Sequence, residues 1–159
     1  MDAVLLAMRH NVPHVLLLRD GSGFCRLPGG KLKPGEGAAE GLKRKLSETL
    51  SPPADSPIQG PVWVPGTPIG TLWRPSFDSP LFPYKPAHVT EPKETRTVYL
   101  VPLPETAYFA PPANLEVIVV PLHELYDNTA RFGPLIAAVP VMLSSVQLNV
   151  VQSVEKAEA

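Results

Sequence analysis

The sequence predicts an α/β fold, an α/β/α sandwich around a mixed sheet, on three observations. Nearly continuous aliphatic runs of strand length recur along the chain, a strongly amphipathic helix follows a glycine-rich loop, and two helix-like segments close the last third. Strands interleaved with helices on both faces of a sheet produce that layering.

The elements follow in order. "AVLLAM" and "PHVLLLRD" flank a polar turn at His10 and Asn11, and their aliphatic character suits a pair of buried strands. "FCRLP" is a third short strand. The loop "PGGKLKPGEG" then leads into a run of strong helix formers. There Leu42, Leu46 and Leu50 recur every four residues to form an apolar face, while Glu40, Lys43, Arg44 and Glu48 occupy other faces. "PVWVPG" and "IGTLWRP" supply two strands kept short by proline and glycine, and "TRTVYLVPL" and "LEVIVVPL" supply two more. In the first of these, Val98 and Leu100 face one side, and Tyr99 and Val101 the other. "PLHELYDN" and "GPLIAAVPVMLSS" read as helices. The domain is expected over 1–148, with 149–159 a small, polar, frayed tail.

A chain of 159 residues fits one domain with a real core. Lys plus Arg number 14 and Asp plus Glu 15, so the net charge of -1 excludes a broad polybasic footprint and leaves any nucleic-acid contact local. Cys25 is the only cysteine, which excludes an internal disulfide and fits a reducing compartment. The start "MDAVLLAMRH" has an acid where a secretion signal has basic residues. The late run "GPLIAAVPVML" is broken by Pro140 and falls short of the roughly 18 residues a membrane helix needs, so a soluble protein with no membrane partner is expected. Proline is abundant at 21 residues, and these prolines belong to ordered loops. His10, His14, His88 and His123 have no metal-ligand spacing and read as unrelated surface or loop residues.

"LPGGKLKPGEGAAEGLKRKLSETL" resembles the Nudix box, whose pattern is G, five residues, E, seven residues, then R-E-U-x-E-E-x-G-U with U a bulky aliphatic. Gly30, Glu36, Arg44, Leu46 and Glu48 fall in register. In catalytic members, box glutamates one helical turn apart hold Mg²⁺ against a diphosphate. Here Lys45 and Thr49 stand where two of those glutamates belong, and Ser51 and Pro52 replace the closing Gly-U. An ammonium beside the remaining carboxylate makes a poor Mg²⁺ site, so the sequence predicts no catalysis, no metal and no cofactor. Arg44 and Glu36 then become internal ion-pair partners.

From Trp73 to Glu94 runs "WRPSFDSPLFPYKPAHVTEPKE", a long connection of a kind that is usually functional. With "PHVLLL", "LPGGKLKPGE", "EGLKRKL", "PLHELYDN" and "GPLIAAVP", it closely resembles the small subunit of cleavage factor Im, the pre-mRNA 3′-end processing factor, from about Asp2 to about Ser145. That resemblance implies a Nudix fold that binds RNA without hydrolysing nucleotides. It implies recognition of single-stranded UGUA, a homodimer, a larger partner subunit carrying an RNA-recognition domain, and residence in the nucleus. The family's consecutive Phe-Phe before the box falls on Phe24 and Cys25, so Phe24 becomes the base-stacking ring, Cys25 offers backbone groups, and Arg26 lies beside them. Its first-strand acid falls on Asp2, and its late Tyr-Gly on Phe132 and Gly133. Family members also have a preceding segment that gives an arginine and a glutamate to the bases, and this chain begins after it.

Beside the RNA-binding subunit, two other functions compete, an Mg²⁺-dependent nucleoside or dinucleoside polyphosphate hydrolase and a silent nucleotide sensor, and several residues have two readings. Phe24 is a base platform or a core ring. Trp63 and Trp73 are core or dimer anchors before they are ligand platforms. Lys43, Arg44 and Lys45 are a solvated helix face before a phosphate contact. A local Arg26, Lys31 and Lys33 group neutralises one or two phosphates, which predicts a salt slope of only about -1.

Overall fold

The computed structural model describes residues 1–104 and 108–149. The expected tail therefore lies almost wholly outside the described residues. Among the described residues, seven strands and five helices follow in the order β1 (Asp2–Val4), β2 (Leu6–Arg9), β3 (Val12–Asp20), β4 (Cys25–Arg26), α1 (Ala38–Leu50), β5 (Pro68–Arg74), β6 (Glu94–Leu100), β7 (Leu115–Pro121), α2 (Leu122–Leu125), α3 (Thr129–Phe132), α4 (Pro134–Ala137) and α5 (Val139–Leu143).

The N-terminal run "AVLLAM" splits at Leu5 and joins the two sheets. Its first half runs parallel to β6, and β5 pairs antiparallel on the other side of β6. Its second half forms a hairpin with β3, with His10 and Asn11 at positive φ in the turn. β4 continues along the same edge of β3, and β7 lies antiparallel on the other edge.

β3 shows why the apolar pattern is continuous. Val15 and Leu17 enter one buried cluster, shared with Leu72, Val98 and Phe132, with Leu135 and Ile136 of α4 and with Val139 and Leu143 of α5. Leu16 and Leu18 enter a second, shared with Leu42, Leu46 and Leu50 of α1 and with Trp63. Both faces of the strand are covered, as the α/β/α layering requires. Each fully buried leucine of α1 contributes about 1.5 to 3 kcal/mol by removal from water. The helix stops at Leu50 because Pro52 disfavours helical backbone at Ser51, which is extended.

Three expectations change. Pro61–Gly66 forms no strand, since Pro61 and Pro65 have no N–H to give a ladder. Trp63 is still pinned in the core, with its Nε1 donating to Ser51 Oγ at 3.3 Å and its ring beside Phe109. The last helical segment breaks into α4 and α5, both short, with Pro140 starting a new turn. His14 is not a surface residue: it is buried within β3, its Nδ1 2.8 Å from the Val12 carbonyl oxygen. The Trp73 to Glu94 connection is tied back by a reciprocal backbone pair, Trp73 to Phe82, both bonds 2.8 Å.

Candidate nucleic-acid interface around the Nudix box

β4 and the loop before it carry the first candidate residues. Asp20 ends β3 and folds the chain back. Its Oδ1 accepts from the N–H and hydroxyl of Ser22 and from the N–H of Phe24 at 3.1 Å, while its own N–H donates to the Phe24 carbonyl. The hydrogen bond from the Ser22 hydroxyl leads the interactions that hold the Asp20 carboxyl below its ordinary range. This turn presents Phe24 outward, 63% exposed, so the ring is not part of the core. Cys25 alternates to the inside and packs in the core cluster, so only its backbone is placed to meet a ligand. Arg26 points out and lines a groove over the box.

That groove holds about 520 Å³ and is walled by Arg26, Lys31, Lys33, Arg44, Lys45 and Thr49, among others. Gly29 and Gly30 let the loop pass under the N-terminus. Gly29 has φ +154°, and a Cβ there would collide with the Met1 carbonyl oxygen; Gly30 leaves room for the Lys45 stem. Arg44 Nε donates to Glu36 Oε1 and Nη2 to Glu36 Oε2, both at 2.8 Å, and Oε2 also accepts the Lys33 N–H at 2.8 Å. The Arg44 guanidinium, followed by that backbone bond, pulls the Glu36 carboxyl down to about 2. Glu48 is held by Lys45 Nζ at 2.8 Å and Arg44 Nη1 at 3.2 Å, and these bonds lower its pKa, Lys45 foremost.

These carboxylates do not fit Mg²⁺. Both are neutralised by cations of α1, Arg44 and Lys45, and Lys45 places its own charge in the groove. Among the described residues, no group of three or more His, Cys, Asp or Glu side chains converges as a metal site.

The remaining candidates divide. Asp2 pairs with Gly29 across an antiparallel bridge and so borders the box loop. Its side chain turns inward at 2% exposure, both oxygens taken by Arg96 at 2.6 and 3.0 Å. Phe132 is 5% exposed and belongs to the same core cluster as Cys25, with the Arg131 guanidinium 4.8 Å from its ring centroid. Gly133, at φ +85°, makes the turn between α3 and α4 that only a residue without Cβ adopts freely. Phe24 and Arg26 thus present side chains to solvent beside the box, whereas Asp2, Cys25 and Phe132 turn theirs inward. Sequence reasoning overlooked Asp20 and Arg96, which fix Phe24 and Asp2. An Asp at a strand end followed by Gly-Ser-Gly was the available cue for the first.

Comparison with known proteins identifies the family. The Nudix family profile, described as nucleotide hydrolase, matches residues 1–146. Pre-mRNA cleavage factor Im 25 kDa subunit 2 of Arabidopsis thaliana is 48% identical over 153 residues, 96% of this chain and 76% of that protein. This chain belongs to the cleavage factor Im 25 kDa subunit family. A second member of the family, subunit 1 of the same plant, is 38% identical over 96% of this chain and 68% of its own length. Cleavage and polyadenylation specificity factor subunit 5 of Dictyostelium discoideum is 44% identical over 94% of this chain and 76% of that protein. Among solved structures, a C. elegans Ap4A hydrolase complex superposes with TM-score 0.58 at 13% identity, over 91% of this chain and 93% of its own. The MutT protein of Methanosarcina mazei gives 0.54 at 18% identity, over 91% and 88%. At such identities these two show the Nudix fold and no more.

Proposed function

We propose that this chain is a non-catalytic, RNA-binding subunit of the nuclear machinery for pre-mRNA 3′-end cleavage and polyadenylation, and that it recognises single-stranded UGUA. One observation carries the reading. Beside a Nudix groove whose carboxylates are neutralised by Arg44 and Lys45, the Asp20 turn holds an exposed aromatic ring, Phe24, next to Arg26. Single-stranded bases are read by rings of that kind together with bonds to their exposed edges. The relatives' names, pre-mRNA cleavage factor and cleavage and polyadenylation specificity factor, support the biological setting.

Backbone groups of Cys25, the Arg26 guanidinium and the Gly133 turn are the next contacts in this reading; Asp2 and Phe132 shape the site from within. The chain acts as a homodimer and docks a larger subunit with an RNA-recognition domain. Exposed Tyr84 in the Trp73 to Glu94 connection supplies the aromatic character that interfaces favour. Competition decides between this function and a silent nucleotide sensor. A UGUA oligonucleotide should displace a labelled UGUA probe where mononucleotides do not, and equal displacement by mononucleotides would favour the sensor. A monomeric mass by light scattering at micromolar concentration would contradict the dimer.

A further inference from the structure

A second and larger groove, of about 770 Å³, shares the Gly30–Leu32 loop with the box groove. Lys31 belongs to both walls; Arg74, Phe77, Lys93 and Glu94 complete the part that matters here. Phe77 is 80% exposed, and Lys93 Nζ stands 5.3 Å from its ring centroid. A cation over one face of the ring leaves the other face free. Among the described residues, neither Lys31 nor Lys93 has a carboxylate within 4.0 Å. The groove's single acid, Glu94, is already committed: Arg74 Nε lies 3.1 Å and Arg96 Nε 3.8 Å from its oxygens. Arg74 Nε, a buried atom, makes no hydrogen bond, because the Glu94 oxygen is off the line of its N–H.

The groove is therefore positive, has uncommitted ammonium groups, and carries an aromatic ring that no core packing requires. An electrostatic track interleaved with an exposed ring is how single-stranded nucleic acid is held without sequence readout. An acidic peptide would use the lysines and leave Phe77 unexplained. We propose that this groove carries the RNA that flanks the recognised element, with Phe77 as a second stacking platform and Lys31 and Lys93 on phosphates. The proposal rests on the RNA-binding function above and extends it from one base-reading loop to a continuous path. β5 and β6 bring Arg74 and Lys93 to Lys31, which is why separation in sequence hid the cluster; the Lys93 N–H donates to the Arg74 carbonyl at 2.9 Å.

The test is fluorescence anisotropy with a bare UGUA tetranucleotide and with the same element carrying four uridines on each side, on wild type, Phe24→Ala, Phe77→Ala and Lys93→Ala. The flanked RNA should bind more tightly than the tetranucleotide and have a steeper salt slope, by about 0.7 for each added phosphate neutralised. Phe77→Ala should weaken the flanked RNA by about 5- to 150-fold and leave the tetranucleotide unchanged. Lys93→Ala should flatten the flanked slope by about 0.7. Both positions are at the surface, so the variants should fold, as circular dichroism will confirm. Wild-type behaviour of both variants toward the flanked RNA overturns the proposal and assigns the groove to another kind of partner, an acidic peptide included. If Phe24→Ala and a scrambled element change nothing while Phe77→Ala still weakens the flanked RNA, the groove stands and the base-reading assignment fails. Absence of binding to either RNA overturns both.

Discussion

Lys45 Nζ lies 2.8 Å from Glu48 Oε2, one turn of α1 apart, so the box glutamate that remains on α1 faces a covalently tethered cation. The chain should accordingly show no Mg²⁺-dependent turnover of nucleoside or dinucleoside polyphosphates in a phosphate-release assay. Robust turnover that vanishes in Glu48→Gln would refute this. The double change Lys45→Glu with Thr49→Glu should raise Mg²⁺ affinity, readable by titration calorimetry, yet restore little activity, because a misplaced substrate gains little from a metal.

The Arg44–Glu36 pair predicts a pH effect of definite sign. Glu36 titrates near about 2 in the folded chain, below its ordinary 4.5, with the Arg44 bonds as the leading cause. A depressed carboxylate adds stability that is complete above its unfolded pKa and disappears as pH falls through the folded one. Wild type should lose stability between about pH 4.5 and about pH 2, and Glu36→Gln should be less stable than wild type at pH 7 but flatter across that window. Thermal melts of both proteins at stepped pH give the comparison. Parallel curves would mean that the pair is not coupled to folding.

Asp2 and Arg96 join β1 to β6 by a two-point ion pair with one partner almost wholly buried. Removing one member of a fully buried pair costs about 3 to 5 kcal/mol. Arg96 keeps 29% exposure and can recover water, so Asp2→Asn should cost less, about 2 kcal/mol, in urea unfolding. Its effect on UGUA affinity should be small beside that of Phe24→Ala. The opposite ranking would give the Asp2 carboxyl a direct part in RNA contact.

Cys25 and Phe132 test how far the inward-facing candidates act by packing. Cys25 sits in the core cluster, so Cys25→Phe, which by resemblance restores a second ring and tightens binding, must first find volume there. It should destabilise the fold by about 1 to 3 kcal/mol. Phe132→Ala should cost about 3 to 5 kcal/mol through the cavity it leaves. Denaturant titration reads both, and unchanged midpoints would show that these side chains are free to reach a ligand.

Much of the fold was legible because it rests on local pattern. The every-fourth leucine spacing fixed α1, and the unbroken aliphatic run of β3 announced burial on two faces. Prolines misled: "PVWVPG" has strand composition but lacks the donors a ladder needs, and Trp63 alone is anchored. At the site, the box register and the missing glutamates were readable from spacing within one helix. Pairings across long separations were not. Arg96 meets Asp2 only because β1 lies parallel to β6, and Lys93 lines one groove with Lys31 only because β5 and β6 bring that wall to the box loop. The outward turn of Phe24 depended on the Asp20 side chain, whose role emerges only when its three bonds are seen together.

The central claim is that Phe24 reads a base. Fluorescence anisotropy with UGUA and a scrambled tetranucleotide, on wild type, Phe24→Ala and Lys31→Ala, tests it most directly. Stacking of one base is worth about 1 to 3 kcal/mol, so Phe24→Ala should weaken UGUA binding by about 5- to 150-fold. Lys31→Ala should cost much less on this short probe, and wild type should prefer UGUA over the scrambled sequence. Equal affinity of wild type and Phe24→Ala, with no preference for UGUA, would contradict it.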